Sequence, residues 1–152
     1  MKDTNSNCIF CKVARGEFPS YKIYEDDKFL AILDLYPNVK GMTLIITKDH
    51  YDSYAADMDD KTYSEFFLFA KKISKLIDSK LGVKRTALVM EGMGINHAHI
   101  KLYPLHGLGS EFKEIHTDEK VFFDNYKGYI TTILGPKAKA DELEQLRRLF
   151  LE

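Results

Sequence analysis

A chain of 152 residues is long enough for a single domain, 1–152, with a proper hydrophobic core. Its 22 basic and 23 acidic residues leave a net charge of −1, which argues against nucleic acid or an anionic membrane as a bulk electrostatic partner. With two cysteines, no charged-then-apolar leader and no long apolar run, we expect a soluble cytoplasmic protein.

The first predicted element is a short helix that ends at Gly16 and carries Cys8 and Cys11. In a cytosolic chain, two cysteines at this spacing indicate a zinc half-site or a redox pair before a disulfide. Zinc is favoured because no thioredoxin-like strand precedes the pair and a phenylalanine lies inside it. Two buried structural cysteines are the alternative. A zinc half-site needs two further ligands.

Three strands are predicted next. Residues 21–25 alternate in polarity, 28–35 form a more continuously apolar and therefore more buried strand, and 42–47 form the third. Asp34 lies where the second strand enters the loop 36–41, so its carboxylate either contacts a ligand or is simply solvated.

From Asp59 to Leu81 the apolar residues follow a helical period. Asp59 or Asp60 can cap the start, and Gly82 suits the C-terminal end. We expect this helix to pack across the sheet rather than to form a ligand site. Its apolar face is predicted to comprise Tyr63, Phe66, Phe67, Ala70, Ile73 and Ile77.

A fourth strand, 85–91, and a glycine-containing connection, 92–95, lead into the segment from Asn96 to Leu105. In this segment His97, His99, Lys101 and Tyr103 alternate with Ala98, Ile100 and Leu102. Strict alternation predicts a strand with one face on the core. The other face carries two imidazoles and an ammonium. Placing these groups side by side is electrostatically unfavourable unless an anion or a metal lies against them. We therefore expect an active-site wall, with ordinary surface histidines as the alternative.

The remainder of the chain is less informative. The loop after His106 and the charged stretch 111–120 are expected to be exposed. Pro136 is predicted to open a last helix with Leu143, Leu146, Leu149 and Phe150 on one face.

The segment His97-Ala-His99-Ile-Lys101-Leu-Tyr-Pro resembles the signature of the histidine-triad (HIT) family, in which His-x-His-x-His precedes two apolar residues. Segments 8–20, 34–41 and 43–50 are also similar to family segments, so the resemblance covers about residues 7–106. It implies an α+β, HIT-like fold with an antiparallel meander sheet of about five strands, one long helix across it and a C-terminal helix. Residues 107–152 would then be a C-terminal extension.

The same resemblance implies roles for individual residues. It makes His99 the nucleophile and places His97 and Lys101 beside it as catalytic residues. It assigns the nucleotide contacts to Asp34, Leu35, Met90, Gly94, His99 and Lys101, with Asp34 accepting from the ribose diol. It completes one structural zinc site per chain, with the ligands Cys8, Cys11, His50 and His97.

One position departs from the family pattern, because the third histidine of the triad is Lys101. The related galactose-1-phosphate uridylyltransferases carry glutamine there and keep the first two histidines, so the change need not abolish catalysis. Lysine is a point charge that is normally protonated. We therefore expect Lys101 to hold phosphate well and to shuttle protons poorly.

The predicted function is a nucleotide hydrolase that cleaves at the α-phosphate of a purine nucleoside phosphoramidate or a dinucleoside polyphosphate. The intermediate would be a nucleotidyl-histidine. One alternative is a nucleotidyltransferase to phosphate or a sugar phosphate, and another is a nucleotide-binding or scaffold protein with weakened catalysis. The family also implies a homodimer, with the 59–81 helix and the tail as contact surfaces.

Overall fold

The computed structural model describes residues 7–151, which divide into two compact units at the Glu111–Phe112 boundary. The elements of the first unit are α1 (Ile9–Ala14), β1 (Lys22–Glu25), β2 (Phe29–Leu33), β3 (Thr43–Thr47), α2 (Asp60–Leu81), β4 (Thr86–Val89) and β5 (His99–Pro104). A 3-10 turn, Ala55–Asp57, precedes α2. Within the described residues, no helix has both the length and the apolar character that crossing a membrane requires.

The five strands form one antiparallel sheet in the order β1-β2-β3-β5-β4. The predicted α+β fold, with a five-stranded antiparallel sheet and a long helix, is therefore confirmed. The simple meander extends only through β1, β2 and β3. The chain then passes through α2 to the edge strand β4, and β5 returns between β4 and β3. The strand that carries His99 and Lys101 is thus paired on both sides.

Helix α2 has the length that the sequence period predicts, with capping at both ends. The backbone N–H of Thr62 donates to Asp59 Oδ1 at 3.0 Å, which makes Asp59 the N-cap. Gly82 ends the helix with a φ of 66°, a left-handed conformation that favours glycine. The predicted apolar face was wrong at two positions: Phe69 is buried, whereas Tyr63 is 40% exposed in the first turn.

The sheet separates two hydrophobic clusters. The cluster under α2 includes Phe29, Ala31, Ile45, Ile100 and Leu102 from the strands, with Phe66, Phe69, Ala70, Ile73 and Ile77 from the helix. The cluster on the opposite face includes Leu30, Ile32, Ile46, Phe10, Cys8 and Cys11. Ile46 is paired with His99, and Leu44 is paired with Lys101. His99 and Lys101 therefore lie on the α1 side of the sheet, as the alternation predicts.

The start of β5 differs from the prediction. The strand begins at His99 rather than Asn96. Of the preceding residues, Ala98 keeps one bond to β3, in which its carbonyl accepts from Thr47 N–H at 3.4 Å, and the others described below are made to a neighbouring loop. Ala98 N–H donates to the carbonyl of Tyr51 at 2.8 Å. Asn96 Oδ1 accepts from the backbone N–H of Ser53 at 3.0 Å.

The second unit contains one helix, α3 (Ala140–Leu149), within its described residues. The helix begins at Ala140, not at Pro136 as predicted, and Lys139 is its N-cap residue. Upstream, Val121 N–H donates to the carbonyl of Leu134 at 3.1 Å. The four apolar residues predicted to share a face are all exposed: Leu143, Leu146, Leu149 and Phe150.

Candidate functional site

Four potential metal ligands converge beside α1 from three separate parts of the chain. Their ligand atoms all lie within 4.8 Å of one another, and the residues are the predicted Cys8, Cys11, His50 and His97. Cys8 Sγ lies 3.4 Å from His97 Nδ1. Cys11 Sγ lies 3.3 Å from His50 Nδ1 and 3.5 Å from His97 Nδ1.

These distances can be compared with the dimensions of a metal site. Zinc bonds of about 2.3 Å to sulfur and about 2.1 Å to nitrogen place tetrahedral S and N ligands about 3.6 Å apart. The three S···N distances of 3.3, 3.4 and 3.5 Å are close to that edge length. The donor set therefore fits a tetrahedral metal ion. Four protein ligands would complete its coordination, as in a closed structural site.

His97 is oriented to present one particular nitrogen to the cysteines. The ring is fully buried, and its Nε2–H donates to the carbonyl of Thr47 at 2.8 Å. The Nδ1 lone pair is therefore directed at Cys8 and Cys11. Burial lowers the pKa of His97 to about 4, so the ring is neutral at pH 7. A neutral imidazole with its other nitrogen hydrogen-bonded is the form that metal ligation requires.

His99 has the opposite arrangement of its ring nitrogens. Nδ1–H donates to the carbonyl of His97 at 2.7 Å, so Nε2 retains the lone pair. The side chain is buried, and burial lowers the pKa of His99 despite this hydrogen bond. The rings of Phe10 and His99 pack edge to face, with their centroids 5.5 Å apart. A neutral imidazole held in this way is chemically able to act as a nucleophile.

A cavity of about 280 Å³ opens beside His99. This volume is near the lower end of the range for small-molecule sites. The wall is mainly apolar and includes Ile9, Phe10, Val13, Tyr21, Ile32 and Leu44. Five of the six predicted nucleotide contacts line it: Asp34, Leu35, Gly94, His99 and Lys101. The sixth, Met90, instead packs against the core cluster under α2.

A larger hollow of about 440 Å³ lies between the start of β2 and α2. Its lining includes Lys28, Glu65 and Lys72, with Leu68 and Phe69. None of its described lining residues is a histidine or a cysteine. The cavity beside His99 is the stronger candidate for a reaction site, because there a nucleophile adjoins an enclosed apolar wall.

Asp34 is held in place by its own turn. Its Oδ1 accepts from the backbone N–H of Tyr36 at 2.7 Å, and its backbone N–H donates to the carbonyl of Met42 at 3.0 Å. The side chain is half-buried on the cavity wall. A fixed carboxylate in this position can accept hydrogen bonds from a ligand hydroxyl.

Lys101 forms an ion pair that the sequence analysis did not anticipate. Its Nζ donates to Glu91 Oε1 at 2.9 Å, and the two side chains are 25% and 13% exposed. Burial alone would lower the pKa of Lys101, but the hydrogen bond and charge of Glu91 outweigh it and raise the pKa. Lys101 is therefore protonated at pH 7.

The strand register could have revealed this partner. Val89 pairs with Lys101 across the β4–β5 ladder. Glu91 follows two residues later, which places it near His99 on the same face.

The other histidines of the clustered region lie elsewhere. His106 donates through Nε2 to the carbonyl of Lys40 at 2.8 Å and does not line the cavity. His116 belongs to the second unit and lies 3.2 Å from Glu114 Oε2.

A family comparison identifies the domain to which this site belongs. The HIT domain family matches residues 15–109, more than half of the chain. The chain belongs to the histidine-triad (HIT) family. The match includes His97, His99 and Lys101 and begins after the two cysteines, so the case for the metal site rests on its geometry.

Two HIT relatives illustrate the range of similarity. An uncharacterized HIT-like protein from Borreliella burgdorferi is 41% identical over 105 residues, which cover 64% of this chain and 75% of that protein. An adenosine 5′-monophosphoramidase from Candida albicans is 34% identical over 93 residues, which cover 61% of this chain and 57% of that protein.

Solved structures agree with the HIT fold. A crystal structure from Streptococcus mutans has a TM-score of 0.69 at 25% identity and covers 96% of this chain and 84% of that one. A zinc-bound histidine triad family protein from Mycobacterium smegmatis has a TM-score of 0.63 at 26% identity, with coverage of 74% and 85%.

Proposed function

We propose that this HIT protein is a nucleotide hydrolase that cleaves at the α-phosphate of a purine nucleoside phosphoramidate or a dinucleoside polyphosphate. The observation that carries the proposal is the orientation of His99 beside the cavity. Its Nδ1 is engaged by the His97 carbonyl, which leaves the Nε2 lone pair for attack on phosphorus. The similarity to an adenosine 5′-monophosphoramidase supports a nucleotide substrate.

The first chemical step is an in-line displacement at the α-phosphorus. A bond forms between His99 Nε2 and phosphorus, and the bond from phosphorus to the leaving group breaks. The Nδ1–H bond to the His97 carbonyl stabilises the positive charge that develops on the ring. Lys101 lies two residues along the same face and provides a fixed positive charge for the phosphoryl oxygens.

The second step releases the nucleotide from His99. Water attacks the same phosphorus, the bond to Nε2 breaks, and the imidazole leaves as a neutral ring. The proton that the water loses passes to solvent as the new P–O bond forms, and the nucleoside monophosphate is released. Asp34 would hold the ribose throughout both steps, because its carboxylate is fixed on the wall that His99 and Lys101 share.

We also propose that the cluster of Cys8, Cys11, His50 and His97 holds one structural Zn²⁺ per chain. The fit of the S···N distances supports this assignment. The zinc-bound relative from Mycobacterium smegmatis supports it as well. Zinc at this position would attach α1 to the start of β5 and would use His97, leaving His99 without metal.

Two alternative functions depart from this reaction at different steps. In a nucleotidyltransferase, phosphate or a sugar phosphate would replace water as the second nucleophile. In a binding or scaffold protein, the covalent intermediate would not form. The Glu91–Lys101 pair keeps the scaffold alternative open, since it engages the cation that is expected to hold phosphate.

Trapping of the intermediate distinguishes these functions. Protein incubated with a nucleoside phosphoramidate labelled at the α-phosphate should become labelled. Peptides prepared after an alkaline, denaturing quench, which preserves the acid-labile P–N bond, should carry the label on His99. His99→Ala should abolish labelling, whereas the control His106→Ala, at an exposed histidine away from the cavity, should preserve it. Release of label by water indicates a hydrolase, and release only after addition of phosphate indicates a transferase. Labelling that persists in His99→Ala would refute the mechanism.

A further inference from the structure

The charges around the cavity form an unusual set. Lys101 is the single cation among the described residues that line it, and Asp34 is the single acid among them. Glu91 lies behind Lys101 and accepts its hydrogen bond at 2.9 Å. The three groups together carry a charge of −1 next to a buried, neutral His99.

Both carboxylates are close enough to His99 to act on it electrostatically. Asp34 shares the cavity wall with His99 and Lys101, and Glu91 is held at the same place by its 2.9 Å hydrogen bond to Lys101, two residues past the Val89–Lys101 pair. A group that occupies the cavity beside His99 therefore encounters two negative charges and one positive charge. The side chain of Glu91 is only 13% exposed, so water screens its charge incompletely.

We propose that Glu91 is a specificity-determining residue of this site, whose carboxylate disfavours leaving groups that bring additional negative charge. The proposal rests on the function proposed above and concerns which of its two substrate classes is preferred. The ion pair with Glu91 offsets the positive charge of Lys101, which would otherwise attract an anionic leaving group. The charge of Glu91 itself also repels such a group.

The two substrate classes differ in the charge that departs. When a phosphoramidate reacts, the P–N bond breaks, and the nitrogen takes the electron pair and a proton from solvent. The amine leaves neutral or as an ammonium ion. When a dinucleoside polyphosphate reacts, the P–O bond breaks and the oxygen of a multiply charged nucleotide takes the electron pair. One additional negative charge several ångströms from a poorly screened carboxylate changes a rate by about tenfold.

The direct test compares the two classes in Glu91→Gln, which removes the charge and keeps the side-chain shape. The measured quantity is the ratio of kcat/KM for an adenosine phosphoramidate to that for a diadenosine polyphosphate. We expect this ratio to fall by about tenfold or more. Glu65→Gln is the matched control, because it removes the same charge from the surface ion pair with Lys28. An equal ratio in Glu91→Gln and the unaltered protein, or an equal change in the control, would overturn the proposal.

One further measurement does not depend on turnover. Glu91→Gln should also tighten binding of ADP more than binding of AMP, since only ADP places an additional phosphate beyond the α-phosphate. A protein that binds both nucleotides but hydrolyses neither substrate refutes the proposed function, while the ADP-to-AMP comparison still decides the role of Glu91. Equal effects on both nucleotides would contradict that role.

Discussion

Replacement of Cys11 by serine tests whether the Cys2His2 cluster is a metal site or a buried packing contact. Cys11 is 1% exposed, and its Sγ lies 3.3 and 3.5 Å from the Nδ1 atoms of His50 and His97. Serine nearly preserves the volume and can still hydrogen-bond to an imidazole. It cannot supply the thiolate that zinc prefers. We therefore expect Cys11→Ser to lose its zinc while retaining its fold.

The size of the effect can be worked out from the linkage between metal binding and folding. Zinc present at about 1,000 times its dissociation constant stabilises the folded state by about 4 kcal/mol. For a chain of about 150 residues, each kcal/mol changes Tm by about 2 to 4 °C. Cys11→Ser should therefore unfold about 8 to 16 °C below the unaltered protein when zinc is present. After chelation the two proteins should differ by about 1 kcal/mol or less, the usual worth of one hydrogen bond.

The assay is thermal unfolding, followed by circular dichroism, of both proteins with zinc and with a chelator. Elemental analysis should find about one zinc per chain in the unaltered protein and little in Cys11→Ser. Comparing the unaltered protein with Cys11→Ser, both in chelator, measures the effect of the substitution on packing without any contribution from metal binding. If Cys11→Ser lowers Tm equally with and without chelator, the cysteine is a packing residue and the metal assignment is wrong.

Four further outcomes are expected. Asp34→Ala should weaken nucleotide binding by about 1–3 kcal/mol and narrow the preference for ribose over deoxyribose, measured by calorimetry. Lys101→His should accelerate the hydrolysis of substrates with basic leaving groups more than that of substrates with good leaving groups. If Lys101→His and the unaltered protein have equal rate constants on both substrates, the expected poor proton transfer by Lys101 is wrong. The pKa of His97 is lowered from 6.5 to about 4. Below pH 6.5 the unfolded metal-free chain therefore binds more protons than the folded one. The free energy of unfolding, measured with urea, should fall by about 3 kcal/mol as the pH is lowered to about 4. Light scattering should find a homodimer at micromolar protein, and a monomer mass at every concentration would contradict this.

Much of the fold follows from periodicity in the sequence. The alternation from Ala98 to Leu102 predicted which side chains face the core, and Ile100 and Leu102 are fully buried there. The helical period predicted α2, and its caps are formed by residues suited to them. Local pattern could not predict that β5 lies between β3 and β4, because strand order depends on contacts that are distant in sequence.

The candidate site was predictable to a similar degree. Motif spacing and the family resemblance selected the four potential metal ligands that the structure brings together. Neither could reveal Glu91, since its relation to Lys101 depends on the β4–β5 register. Met90, assigned from its family position, packs against the core cluster under α2 and is not among the cavity's lining residues, so its contact with a nucleotide stays a prediction.

The central position of β5 has a consequence for how the molecule is made. This strand is the last of the five to leave the ribosome, yet it joins β3 to β4. Until it emerges, β3 and β4 each expose an unpaired edge, and such edges are prone to aggregation during synthesis. His99 is the first residue of the strand that closes this gap. The nascent chain therefore acquires its candidate nucleophile in the same step that pairs the inner edges of β3 and β4.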